Sequence, residues 1–150
     1  LVSLDAHPEV RCVVLRGSNG AFSSGSDIEH LLGLGTAERE AHFQLVAAML
    51  TAPARIGKPV IAAIQGLALG GGTGLTAACD FAIAEAGSIF GLPEVDVGLW
   101  PCTLLPALVR RIGVHKAYEL ALFGQRITAD DALALGLLNR IVPAAAFEQE

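Results

Sequence analysis

Two kinds of residue in this chain could do chemistry together. One is the glycine run Gly70-Gly71-Gly72, and the other is a single glutamate about twenty residues on, in Phe90-Gly91-Leu92-Pro93-Glu94. Glycines let a backbone approach a ligand without side-chain interference. At a helix start their N–H groups have no intrahelical partner and favour a bound negative oxygen. A second small, polar loop, Phe22-Ser23-Ser24-Gly25-Ser26-Asp27, follows an earlier strand-like run. Two such loops, each offering one N–H to one oxygen, would stabilise an enolate or a tetrahedral oxyanion, and one such donor is worth about 10²–10³ in rate. Glu94 would then supply the proton chemistry, which requires an apolar pocket to raise its pKa; Leu92, Leu99 and Trp100 are near enough in sequence to build one. On spacing alone both loops read equally well as turns, a glutamate after proline is usually solvated, and a lone tryptophan is usually core. Asp80 and Asp96 are further acids, read here as structural groups at strand ends.

The elements that must position these groups follow from periodicity. Val10–Arg16 is a β-branched run closed by Gly17-Ser18-Asn19-Gly20, hence a strand and a turn. Thr36-Ala37-Glu38-Arg39 reads as a capping box with Thr36 at the N-cap, opening a helix with Phe43, Val46, Ala47 and Leu50 on one face. Val60–Gln65 is a buried strand, Gly71–Cys79 a helix, and Phe81–Ala84 and Ser88–Gly91 extended pieces. Helices are expected over Pro101–Ile112 and His115–Phe123, each stopped by glycine, and after Thr128, which caps Asp130-Asp131; Leu138–Val142 is extended. Strands alternating with helices, with continuous rather than alternating apolar runs, predict one α/β domain whose strands are covered on both faces.

The composition bounds the function. The 150 residues are 53% hydrophobic and 17% charged, with a mean hydropathy of +0.55. No apolar run approaches the roughly 18 residues that span a bilayer, and the opening residues, with Asp5, His7 and Glu9, do not read as a signal peptide. A net charge of −5 offers no general basic surface for nucleic acid. Cys12, Cys79 and Cys102 have no metal-ligand spacing and read as buried free thiols; the four histidines are scattered, so neither a metal site nor a Cys/His nucleophile is expected. There is no G-x-S-x-G elbow and no P-loop lysine. The chain opens at Leu1 and stops at Glu150 just after a helix-like start, so it reads as part of a longer protein.

Several segments, taken together and in order, closely resemble the enoyl-CoA hydratase/isomerase (crotonase) superfamily. They are Ala21–Ile28, Lys58–Gly66, Leu69–Gly72 and Phe90–Glu94, continuing through Gly124–Ala129 and Ala134–Pro143. The likeness implies an α/β spiral of β-β-α units, here a single crotonase-like domain over residues 1–150 without its first strands and C-terminal helices. It implies acyl-CoA thioester substrates, no separate cofactor, no metal, and assembly as homotrimers or dimers of trimers. Bacterial cytoplasm and mitochondrial matrix are equally compatible. The backbone N–H groups of Ser26 and Gly71 would be the oxyanion donors. Ser24, Asp27 and Ile28 would border the coenzyme A path, and Trp100 the acyl pocket.

One departure bears on mechanism. Hydratases of the family carry a second glutamate shortly after the triple glycine, and that position here is Gly74. Adding water uses two acid/base groups most easily, whereas moving a double bond from the 3- to the 2-position needs one. The resemblance therefore points to a 3-enoyl-CoA to 2-enoyl-CoA isomerase with Glu94 as its acid/base. The alternatives are a hydratase with an altered acid/base set and a non-catalytic acyl-CoA-binding homologue. Dienoyl-CoA isomerases would need acids at Gly74 and Cys102, and naphthoate synthases lack the acid at Glu94, so both fit poorly. Gly74 costs about 1 kcal/mol against alanine within a helix; it serves either close packing or a bulky acyl group.

Overall fold

The computed structural model describes residues 1–149; Glu150 lies outside them. Strand β1 (Val13–Arg16) leads through helices α2 (Ile28–Gly33) and α3 (Thr36–Thr51) to β2 (Val60–Ile64); a short helical turn, α1 (Val2–Asp5), precedes them. Then come β3 (Leu67–Leu69), α4 (Gly71–Ala78), β4 (Phe81–Glu85) and β5 (Ile89–Gly91), with a 3-10 turn over Pro93–Val97. Helices α5 (Leu105–Ile112) and α6 (Val114–Phe123), strand β6 (Arg126–Thr128), helix α7 (Ala129–Ala134) and strand β7 (Arg140–Val142) complete the order, before a last 3-10 turn over Ala144–Gln149.

The strands divide between two sheets. One is parallel throughout, in the order β1-β2-β4-β7, and the other has the order β3-β5-β6. Two consecutive pairs, β2/β3 and β4/β5, are split between the sheets, and each is followed by a helix. That is the expected β-β-α repeat. The first switch falls at Gly66, whose φ of +62° favours glycine and where a Cβ would run into the carbonyl oxygen of Gly20. β3 and β5 then pair in parallel, Leu67 with Ile89 and Leu69 with Gly91. The glycine run and the segment leading to Glu94 therefore leave neighbouring strands at the same end.

Several expectations need correcting. The parallel sheet is not closed on both faces: Val60, Ala62 and Ile64 of β2 are buried while Ile61 and Ala63 are only partly so, and Val14 and Phe81 are exposed. Leu67–Leu69, to which the sequence reading gave no element, is a strand. Gly35 rather than Thr36 caps α3, its N–H donating to the Glu38 carboxylate at 2.9 Å. The helix expected from Pro101 begins at Leu105, and of the three cysteines only Cys79 is buried. Its thiol is pushed up to about 12, by burial first and by Asp80 second. The capping box at Thr128 holds, with Asp131 N–H donating to its hydroxyl. Asp80 is structural, as read: its carboxylate accepts the Val60 N–H at 2.8 Å.

Candidate active site

The first loop is sewn to β3. Phe22 and Ser23 both donate their N–H to the Leu67 carbonyl, at 3.1 and 3.0 Å, and Leu69 N–H donates back to the Ser23 carbonyl at 2.9 Å. Ser23 Oγ also accepts the Gly25 N–H at 3.2 Å. Gly25 turns with φ +92°, and a Cβ there would stand 3.1 Å from the Gly71 nitrogen. Glycine is required on both counts, the backbone conformation and the close approach. The loop then ends at Asp27, whose carboxylate caps α2 by accepting the His30 N–H at 3.0 Å.

The second loop is fixed by the end of the β3-β5 pair. Gly70 N–H donates to the Gly91 carbonyl at 2.9 Å. Thr73, fully buried in the first turn of α4, has its hydroxyl 2.6 Å from the Ala68 carbonyl and 2.8 Å from the Gly91 carbonyl, and accepts the Gly91 N–H. Among the described residues, neither the Gly71 N–H at the helix start nor the Ser26 N–H donates a hydrogen bond within the chain. Both residues line one cavity of about 250 Å³.

Glu94 reaches this cavity from the 3-10 turn after β5. Its carbonyl accepts the Leu99 N–H at 2.9 Å, and Gly98 closes the turn with φ +72°. Carboxylate Oε1 packs on Gly70, 2.7 Å from the position a Cβ would take there, so only glycine admits it. Oε2 is buried with no hydrogen-bond partner. Burial therefore pushes the Glu94 carboxyl above the usual carboxylate range, partly offset by its own backbone N–H.

The structure brings Glu94, Ser26, Gly71, Ser24, Ile28 and Trp100 to one cavity, and with them Asp96, which lies in the 3-10 turn after β5 rather than at a strand end. Asp27 stands apart from its lining and holds the loop. Trp100 is not core: it is 42% exposed and leans on Tyr118, ring centroids 6.0 Å apart. The apolar wall includes Leu31, Phe43, Val46 and Leu104, which the sequence reading did not assign to a site. For Phe43 and Val46 the signal was their helical spacing on α3, read only as a core face. Gly74 is explained by close packing, since a Cβ there would meet Leu104 Cδ2 at 3.0 Å and Leu50 Cδ2 at 3.3 Å. Among the described residues no group of three or more His, Cys, Asp or Glu could hold a metal ion, and no helix is long and apolar enough to cross a membrane.

A two-sheet β-β-α fold carrying a buried carboxylate beside two unpaired main-chain donors defines an α/β protein of the crotonase class. The family model for enoyl-CoA hydratase/isomerase matches residues 1–150. The structure is similar to that of an enoyl-CoA hydratase from Mycobacterium smegmatis, with a TM-score of 0.94 and 34% identity over 99% of this chain and 58% of that one. The Bacillus anthracis enoyl-CoA hydratase gives a TM-score of 0.92 and 33% identity, with the same two coverages. A mevalonyl-coenzyme A hydratase of Beauveria bassiana is 38% identical over 148 residues, 93% of this chain and 53% of that protein. This chain belongs to the enoyl-CoA hydratase/isomerase family, and it spans little more than half the length of these relatives.

Proposed function

We propose that this chain carries the active centre of an acyl-CoA enzyme that moves a double bond from the 3- to the 2-position of an enoyl thioester. The observation that carries this reading is the Glu94 carboxylate, with one buried and unpartnered oxygen, in a cavity whose other acid, Asp96, is exposed. Glu94 takes the proton from C2, the electron pair moves into the thioester carbonyl, and the Ser26 and Gly71 N–H groups hold the resulting oxyanion. The protonated Glu94 then returns the proton to C4 as the carbonyl re-forms, leaving the 2-enoyl product. A carboxyl held above its ordinary range suits the shuttle, because it is a stronger base than an exposed glutamate. Ser24 and Ile28 border the path of the coenzyme A arm, with Asp27 holding their loop through His30. Trp100 walls the acyl end. Coenzyme A enters only as part of the substrate.

Hydration is the second reading, favoured by the names that the relatives carry. It requires another group to activate water. An acid at the Gly74 position requires Leu104 and Leu50 to give way, since a Cβ there would stand 3.0 Å from Leu104 Cδ2 and 3.3 Å from Leu50 Cδ2.

The test is turnover of matched 3-enoyl-CoA and 2-enoyl-CoA by the full-length protein and its Glu94→Gln variant, following double-bond position and water addition. Isomerisation without hydration, reduced at least 10³-fold in the variant while acyl-CoA still binds, is the expected result; proton transfer by a positioned group is worth about 10²–10⁴. Hydration by the unaltered protein would replace this reading with the second. Binding without any turnover would make the protein an acyl-CoA carrier.

A further inference from the structure

The two main-chain donors are not held equally. Gly71 starts a helix whose first turn is fixed by Gly70 N–H to the Gly91 carbonyl and by the buried Thr73 hydroxyl. Ser26 lies between two anchored points, Ser23 hydrogen-bonded to β3 and Asp27 capping α2, just after the glycine that turns at φ +92°. Among the described residues its peptide N–H and carbonyl make no hydrogen bond within the chain. Its single hydrogen bond is through the side chain: Ser26 Oγ lies 3.1 Å from His42 Nε2, sixteen residues away on α3. The imidazole is half-buried and rests edge-on against Phe43, ring centroids 5.6 Å apart at 78°. Phe43 and Val46, on the same helix, wall the cavity. One helix thus shapes the acyl space and also reaches the oxyanion loop.

We propose that His42 is a positioning residue: by tethering the Ser26 hydroxyl it fixes the orientation of the Ser26 peptide, and with it the strength with which the bound thioester carbonyl is polarised. The inference rests on the reading of Ser26 N–H as an oxyanion donor. Its physical basis is that a donor is useful only when preorganised toward the position the developing oxyanion will occupy. A glycine-preceded peptide with no main-chain bond of its own otherwise rotates away from that position at little cost. The tether works with either imidazole tautomer, since the hydroxyl donates to a bare Nε2 and accepts from a protonated one.

The experiment is a double-mutant cycle in the full-length protein with His42→Ala, Ser26→Ala and both, measuring kcat and KM separately. Ser26→Ala keeps the N–H and removes only the tethered hydroxyl, so its own kcat and carbonyl spectrum still decide the proposal where His42→Ala fails to fold. Each single change is expected to lower kcat about tenfold, below the 10²–10³ for losing a whole donor, with KM within about twofold. The double variant is expected to be no worse than either single one, and His42→Gln, which can still reach the hydroxyl, to restore most of kcat. A second readout is independent of turnover: the carbonyl stretching frequency of a bound, isotopically labelled acyl-CoA thioester. It should fall on binding to the unaltered protein and fall less in both single variants. Additive losses, an effect confined to KM, or an unchanged carbonyl shift in Ser26→Ala would each overturn the role of His42. If the unaltered protein polarises the carbonyl but isomerises nothing, the proposed reaction fails while the His42 inference is still decided by the spectra.

Discussion

Burial takes solvent from Glu94 without giving Oε2 a hydrogen-bond donor, so the folded protein holds the Glu94 proton more tightly than the unfolded chain does. A folded-state pKa above the unfolded one means that the native state binds more protons between the two values, and stability falls as pH rises through that window. Glu94→Gln should therefore raise the thermal midpoint at pH 8. The gain should shrink as pH falls into the ordinary carboxylate range near about 4, where the unaltered protein is also neutral at this position. Scanning calorimetry across that range checks it, and a gain independent of pH would mean that ionisation is not the cause. Gly74 makes the complementary point. A glutamate there would force Leu104 or Leu50 aside, and overpacking costs about 1–3 kcal/mol, so Gly74→Glu should lower the denaturation midpoint without producing hydration. Pairing it with Leu104→Gly opens the space, and 2-enoyl-CoA hydration should then become measurable by product chromatography. Hydration by Gly74→Glu alone would show that Leu104 does not keep the position closed.

Between residue and molecule, helix α4 and strands β3 and β5 meet at Thr73, which ties the glycine run to the strand that ends just before Leu92-Pro93-Glu94. Thr73→Val keeps the shape but removes the hydroxyl that accepts the Gly91 N–H and lies within reach of the Ala68 and Gly91 carbonyls, at a cost of about 1–3 kcal/mol. Asn139→Ala should cost about as much at the far end of the parallel sheet, by freeing the Ala82 N–H and the Arg111 guanidinium that its side chain accepts from. Urea midpoints should fall in both variants, whereas kcat should fall only in Thr73→Val; equal losses of kcat would mean that the site responds to global stability rather than to this joint. The residues of the joint were legible in the sequence because the glycine run and Glu94 stand out by residue type and order. The sequence did not make β3 legible, because a three-residue strand has little pattern of its own and its partner lies about twenty residues on. Helix α3 was legible as a helix but not as a cavity wall, since apolar spacing gives the buried face without saying what it is buried against. His42 was hidden for a related reason: its partner Ser26 is proposed to act through a main-chain group, and the contact between them joins residues on separate elements.

Across the whole molecule, apolar side chains remain uncovered in a way that isolated monomers seldom show. On α6, Val114, Tyr118 and Leu122 recur at helical spacing, 49%, 45% and 55% exposed, with Phe123 beside them at 70%. Trp100, a wall of the cavity, leans on Tyr118. The patch is therefore continuous with the cavity, and whatever covers it also limits solvent beside Trp100. The chain spans 58% of the length of these structural relatives. The resemblance implies homotrimers or dimers of trimers, and we carry that assembly forward as a prediction. Sedimentation of the full-length protein should give a mass three or six times that of its chain, and Leu122→Lys combined with Phe123→Lys should weaken isomerisation by wetting the cavity beside Trp100. A full-length monomer with full activity would leave coverage to the chain itself. Unchanged turnover in the double variant would separate the α6 patch from the site.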